Sequence, residues 1–185
     1  MKSIPSPNFT KGRKRAPLVI VLHTTESPEV PQGAERVAQN WFALKSSKVS
    51  AHYIVSSTEA VRCVKEEDTA WHAGKANGWT IGIEMCGKAG QSASDWVDPF
   101  SKQMLIRTAQ LVAEICVRHD IPVARLHPGD LKLVAEGNDI KGICGHVDVS
   151  KAFGGTHWDP GPAFPYLEFL LMVKGYVDSP APEKL

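Results

Sequence analysis

An uninterrupted apolar run, Leu18, Val19, Ile20, Val21 and Leu22 behind Pro17, stands out first along the chain. Continuous apolarity rich in β-branched residues predicts a central strand buried on both faces, and the polar cluster His23, Thr24, Thr25 and Glu26 begins where it stops. After a Pro-containing loop, Ala34, Val37, Ala38, Trp41 and Leu44 recur at helical spacing, predicting an amphipathic helix over 33–45. Two short β-like runs at 51–56 and 60–64, separated by Ser57, Thr58 and Glu59, predict an antiparallel hairpin. In the strand predicted at 80–86, alternation sends Ile81 and Ile83 to one face and Gly82, Glu84 and Cys86 to the other.

The widest helical stripe runs through Leu105, Thr108, Val112, Ile115 and His119, flanked by Met104, Leu111 and Cys116, and predicts a helix over 101–119 that ends at Ile121 and Pro122. A polar, Gly-containing stretch continues to Lys141, and a short buried segment at 142–145 then leads directly into His146, Val147 and Asp148. Pro165 suits the first position of a last helix bearing Tyr166, Leu167, Phe169, Leu170 and Val173, expected to pack on the sheet. Strands and helices intermixed along the whole length indicate one α/β domain, placed at 17–176 between a basic arm (1–16) and a C-terminal tail (177–185) whose end, from Pro180, is expected to be frayed.

Composition narrows the class. The chain has 185 residues, of which 43% are hydrophobic and 22% charged, ordinary for one globular domain and unlike disordered or collagen-like chains. No apolar run is long enough to span a bilayer or to serve as a secretory signal, so neither a membrane span nor an export signal is expected. Cys63, Cys86, Cys116 and Cys144 form no C-x-x-C pair and are read as buried free thiols of a reducing compartment. The net charge is only +1, yet Lys2, Lys11, Arg13, Lys14 and Arg15 crowd the start without an acidic residue among them. That cluster is read as a solvated tail, with no nucleic-acid partner expected.

Seven histidines bring chemistry into view, three of them in suggestive settings: H-T-T-E at His23, G-H-V-D at His146 and H-W-D-P-G at His157. A catalytic zinc takes three ligands from His and carboxylate and leaves its fourth corner for water. The compact H-E-x-x-H motif is absent, so such a site must be assembled from distant segments, as strand ends at one sheet edge allow.

Six segments then occur in order: V-L-H-T-T-E (21–26), A-H-Y-I-V (51–55), A-W-H-A-G (70–74), I-G-I-E (81–84), G-H-V-D (145–148) and H-W-D-P-G (157–161). Together they resemble the zinc-dependent type-2 N-acetylmuramoyl-L-alanine amidases, a family that includes phage endolysins and shares its fold with peptidoglycan recognition proteins. The resemblance implies a mixed central β-sheet flanked by helices, with a zinc cleft along one edge. It further implies His23, His146 and Asp159 as metal ligands and Glu84 as the general base that takes a proton from water and passes it to the departing amine of L-alanine.

Many relatives carry a Lys two residues before the last ligand, where this chain has His157. A protonated His157 can stabilise the developing oxyanion, and because imidazole titrates near ~6.5 this departure predicts activity more sensitive to pH around neutrality than a Lys would give. His72 is kept as a substrate-binding residue, while Trp71 and Trp79 are left to packing and His52 to a hydrogen-bonded structural role. Asp148 is read either as orienting a ligand ring or as a capping carboxylate.

The function expected is a zinc-dependent peptidoglycan amidase, a phage endolysin acting as a monomer: made in the bacterial host cytoplasm, it reaches the cell wall after release. Three alternatives stand beside it: a muropeptide-binding module without activity, an intracellular recycling amidase, and a Cys/His peptidase using Cys86 or Cys144.

Overall fold

A computed structural model describes residues 1–179. The strands are β1 (Lys2–Ser3), β2 (Phe9–Thr10), β3 (Val19–Thr24), β4 (Tyr53–Val55), β5 (Ala60–Arg62), β6 (Thr69–Ala70), β7 (Thr80–Met85) and β8 (Gly142–Gly145). The helices are α1 (Gly33–Val37), α2 (Pro99–His119), α3 (Pro128–Ala135), α4 (His146–Phe153) and α5 (Tyr166–Asp178). Six strands form one mixed sheet in the order β1-β5-β4-β7-β3-β8, and β2 pairs with β6 apart from it. The four central strands β4, β7, β3 and β8 run parallel, while β5 lies antiparallel to β4.

β3 explains the unbroken apolar run, because helical layers cover both of its faces. Ile20 and Leu22 join Ile81, Ile83, Met104, Val112 and Phe169 in one core; Val19 and Val21 join Cys144, Leu131, Val134 and Val149 in the other. The first core lies under α1, α2 and α5, the second under α3 and α4. Strand alternation carries the Val19 and Val21 face on to His23, and in β7 the same parity carries Gly82 on to Glu84. β7 ends at Met85, so Cys86 escapes the alternation and packs with Ile81 and Ile83.

α2 is capped by Asp98, whose Oδ1 accepts from the Ser101 N–H at 2.7 Å, and it ends as Asp120 turns left-handed (φ 51°). α5 packs chiefly against α2 rather than the sheet, with Pro165 just outside its first turn, and it runs two residues beyond the expected domain end. The expected fraying from Pro180 lies outside the described residues.

Three expectations change. The polar stretch before Lys141 contains α3: Pro128 opens the helix, Asp130 accepts from the His127 N–H at 2.8 Å, and Leu131 and Val134 are buried one turn apart. The residues after β8, for which no element is predicted, form α4. The basic arm is not a solvated tail, because β1 pairs with β5, β2 pairs with β6, and Arg13 and Arg15 are consumed by backbone carbonyls of Thr80, Val134 and Asn138.

Below this arm, Glu66 accepts hydrogen bonds from Tyr53 (2.5 Å), Arg118 (2.7 Å) and His119 (2.5 Å). Burial alone would push its carboxyl up, but these donors outweigh burial and bring it down to about 2. A carboxylate held below its ordinary value stabilises the fold above pH ~4.5 and loses that contribution as pH falls towards ~2. Glu66→Gln is therefore expected to destabilise the protein by roughly 1.5–3 kcal/mol at pH 7 and by about half as much or less near pH 3, read from denaturant midpoints at both values.

Candidate active site

Everything that bears on chemistry gathers at the C-terminal ends of the parallel strands, where open α/β sheets place their sites. β3 delivers His23, and its register partner on β7 is Glu84, so the two side chains leave the same face of adjacent strands. β8 runs from Gly145 into α4, putting His146 in the first turn of that helix. Asp159 arrives from the segment after α4, tied down where its carbonyl accepts from the Val147 N–H at 2.9 Å. Gly161 then passes so close to the Ala89 carbonyl that a Cβ would lie 1.8 Å from its oxygen, and its φ of +98° also favours glycine.

His23 Nδ1 lies 3.1 Å from His146 Nδ1 and 3.2 Å from the Asp159 carboxylate, which is 3.4 Å from His146 Nδ1. All three residues are buried. A tetrahedral cation with bonds of ~2.0–2.1 Å separates its ligand atoms by roughly 3.3–3.4 Å. The triangle of two imidazole nitrogens and one carboxylate thus fits such an ion in both size and donor chemistry.

Burial would raise the Asp159 carboxyl, yet the two histidines hold it far below the carboxylate range. Burial likewise keeps His23 neutral by lowering its pKa, and a neutral imidazole is the form that ligates metal. Glu84 Oε2 is buried without any hydrogen-bond partner. Burial, with Asp159 nearby, pushes the Glu84 carboxyl well above its ordinary value. An unpartnered carboxyl oxygen beside an electron-rich ligand cluster is costly unless a cation or substrate joins it.

The other singled-out residues divide. His157 is exposed, stacks on His146 at 4.1 Å between ring centroids, and sits 3.8 Å from Asp159. His72 lies behind His23, 2.9 Å away, with its second ring nitrogen 3.1 Å from the Thr80 hydroxyl, so protein partners occupy both nitrogens. His52 is structural: the Gly82 N–H donates to its Nδ1 at 3.0 Å, and burial, with the Arg13 charge alongside, lowers it to about 3. Asp148 caps α4, accepting from the Gly145 N–H (2.9 Å) and from Arg125 (2.7 Å) instead of touching a ligand ring.

The cysteines are free and buried, and burial pushes the Cys86 thiol up to about 12 and Cys144 higher still. Burial thus disfavours in both the thiolate form that a nucleophile needs.

A cleft of about 250 Å³ opens over this cluster, and its rim was missed in the sequence. Trp79 is buried as expected, but Trp71, 36% exposed, and Trp41, 54% exposed, both line the cleft. Trp41 leaves the amphipathic stripe because α1 continues as a π-helical turn over Ala38–Phe42, closed by the Ala43 N–H to the Ala38 carbonyl at 2.8 Å. The extra residue in that turn rotates the side chains beyond it. Larger depressions elsewhere, such as one of about 730 Å³ around Asp120 and Lys141, bring together no comparable set of groups among the described residues.

The family described as N-acetylmuramoyl-L-alanine amidase matches residues 13–162. N-acetylmuramoyl-L-alanine amidase A of Achromobacter lyticus is 31% identical over 176 residues, covering 92% of this chain and 90% of that one. N-acetylmuramoyl-L-alanine amidase XlyA of Bacillus subtilis (strain 168) is 32% identical over 127 residues, 65% of this chain and 39% of the relative. The Staphylococcus aureus hydrolase AmiA, solved with its ligand, superposes with a TM-score of 0.67 at 17% identity over 96% of this chain and 83% of its own, a likeness of fold. With the match extending through every segment that builds the cluster, the chain belongs to the N-acetylmuramoyl-L-alanine amidase family of enzymes.

Proposed function

We propose that this enzyme is a zinc amidase that cleaves the bond between the lactyl group of N-acetylmuramic acid and L-alanine in peptidoglycan, and that it serves as a phage endolysin. The observation that carries the reading is the meeting of His23, His146 and Asp159 around one point, with the partnerless Glu84 carboxyl on the same cleft. His23, His146 and Asp159 would hold the ion. Zinc, when bound, supplies Lewis acidity that polarises the scissile carbonyl and makes water a stronger acid.

The protein groups do the rest. Glu84 accepts a proton from the attacking water as its oxygen bonds to the lactyl carbonyl carbon, then returns it to the alanine nitrogen as the C–N bond breaks. The products are a muramyl carboxylate and a stem peptide with a free amine. A raised Glu84 pKa suits the second half of this exchange, in which the carboxyl must hold the proton before delivering it. His157, exposed beside Asp159, would donate to the carbonyl oxygen as negative charge gathers there, a role its position near the cluster supports.

Trp41 and Trp71, both lining the cleft, would offer flat apolar faces to the sugar or the stem peptide. Trp41→Ala is expected to lower kcat/KM on peptidoglycan about tenfold with an unchanged melting temperature, since the ring is exposed and supports no core.

No helix among the described residues is long and apolar enough to cross a membrane. In the endolysin role the enzyme acts as a monomer on the wall after release from the host cytoplasm. The test is digestion of intact sacculi and of soluble muropeptides, with and without a chelator, followed by mass spectrometry. Released stem peptides with free alanine amines, lost on chelation and restored by zinc, support the reading. A preference for soluble fragments would instead identify a recycling amidase, and binding without cleavage a recognition module.

A further inference from the structure

His72 has no place in the chemistry above, yet it is the most completely engaged histidine beside the cluster. The direction of each hydrogen bond can be worked out from its far end. The Thr80 hydroxyl donates its single proton to the Ala76 carbonyl at 2.9 Å, because a carbonyl can only accept. Towards His72 the same oxygen must then accept, so the proton of His72 sits on Nε2, 3.1 Å away. The hydrogen-bond partners of the ring are Thr80 and His23, with His52 packed edge-on and no carboxylate among them to pair with a second proton, which leaves its Nδ1 bare. A bare Nδ1 at 2.9 Å accepts from His23 Nε2, so Nε2 of His23 carries a proton and Nδ1 is the nitrogen turned to His146 and Asp159.

The backbone accommodates this chain of contacts. The His72 ring lies flat over the Cα of Gly82, where a Cβ would come within 2.5 Å of ring atoms Cγ and Nδ1. The ring cannot retreat, because Thr80 holds one edge and His52 lies edge-on at 5.7 Å between centroids. Glycine at 82, in the middle of a strand where it otherwise weakens pairing, is thereby explained.

We propose that His72 is a positioning residue: anchored through Thr80 to the Ala76 carbonyl, it fixes the tautomer and ring plane of His23 so that Nδ1 is presented to the metal, and Gly82 is the vacancy that admits it. This rests on reading His23 as a ligand. Metal-binding imidazoles commonly need such a partner on the other nitrogen, and its loss weakens metal binding about 10- to 100-fold.

The experiment uses the full chain and the variants His72→Leu, His72→Asn, Thr80→Val and Gly82→Ala, with zinc affinity measured by chelator competition and folding checked by circular dichroism. His72→Leu and Gly82→Ala are expected to weaken zinc binding about 10- to 100-fold. His72→Asn, whose amide oxygen can accept from His23, should recover much of the loss, and Thr80→Val should weaken binding without touching either ring. Imidazole nitrogen shifts of the metal-free wild type are read alongside, with the His23 proton expected on Nε2. Wild-type zinc affinity in folded His72→Leu, or a His23 proton resident on Nδ1, overturns the proposal. If the wild type takes up no zinc, the reading of His23 as a ligand fails by itself, and the tautomer measured in the metal-free protein still decides what His72 does to His23.

Discussion

Glu84→Gln is expected to lower turnover on peptidoglycan by roughly 10²- to 10⁴-fold, the range spanned by a single proton-transferring group. The substitution keeps volume and shape at the end of β7 and removes only the capacity to take and return a proton. Its Oε2 counterpart is buried and bonded to nothing in the protein, so no structural hydrogen bond is lost. Zinc content should be unchanged, because the three residues of the ligand triangle are untouched. Stability should rise slightly if it moves at all, since burial and Asp159 both disfavour the charged form that the amide abolishes. Activity within tenfold of wild type in a zinc-loaded, folded Glu84→Gln would remove Glu84 from the reaction.

Asp159→Ala should have the larger effect, abolishing both stoichiometric zinc and detectable stem-peptide release. Two imidazoles remain in this variant, 3.1 Å apart, and without the carboxylate they form a pair too poor in charge and coordination to retain the ion. The metal-free variant has a second signature. The carboxylate is held far below its ordinary range by the two histidines, so its contribution to stability exists above pH ~3.8 and is lost on acidification below that value. Metal analysis paired with melting curves at pH 7 and pH 3 checks this: zinc content near zero, and a stability deficit that shrinks in acid. Full zinc occupancy in Asp159→Ala would break the ligand assignment.

Much of the fold was legible because burial on two faces leaves a plain trace in residue order. The run ending at Leu22 could only be a covered strand, and the Met104 to Cys116 stripe could only be a helix on a core. The cluster itself became legible through motifs instead of periodicity, since His23 is far along the chain from His146 and Asp159 and meets them only through the parallel pairing of β3 with β8. The elements that stayed hidden share a cause. α3 and α4 are short helices whose starts are encoded by Asp130 and Asp148 reaching back to the backbone, a signal present in H-P-G-D and G-H-V-D but overlaid by residues suggestive of loops and metals.

Trp41 was lost to the stripe because its spacing is that of an α-helix, and only the wider π turn turns it out of the core. His72 was visible, but a sequence says nothing of which nitrogen faces what. The basic start of the chain was misjudged because pairing of two-residue strands and burial of Arg13 leave no periodic imprint.

That opening stretch matters for where the catalytic unit begins. Thr10, on β2, accepts from the indole N–H of Trp71 at 3.0 Å, and Arg13 braces the strand that carries Gly82 and Glu84 by donating to the Thr80 carbonyl. A version trimmed to start at Pro17, immediately before the first interior strand, would leave that indole unsupported and a buried carbonyl bare, so any minimal enzyme cut from this chain should keep its first residues.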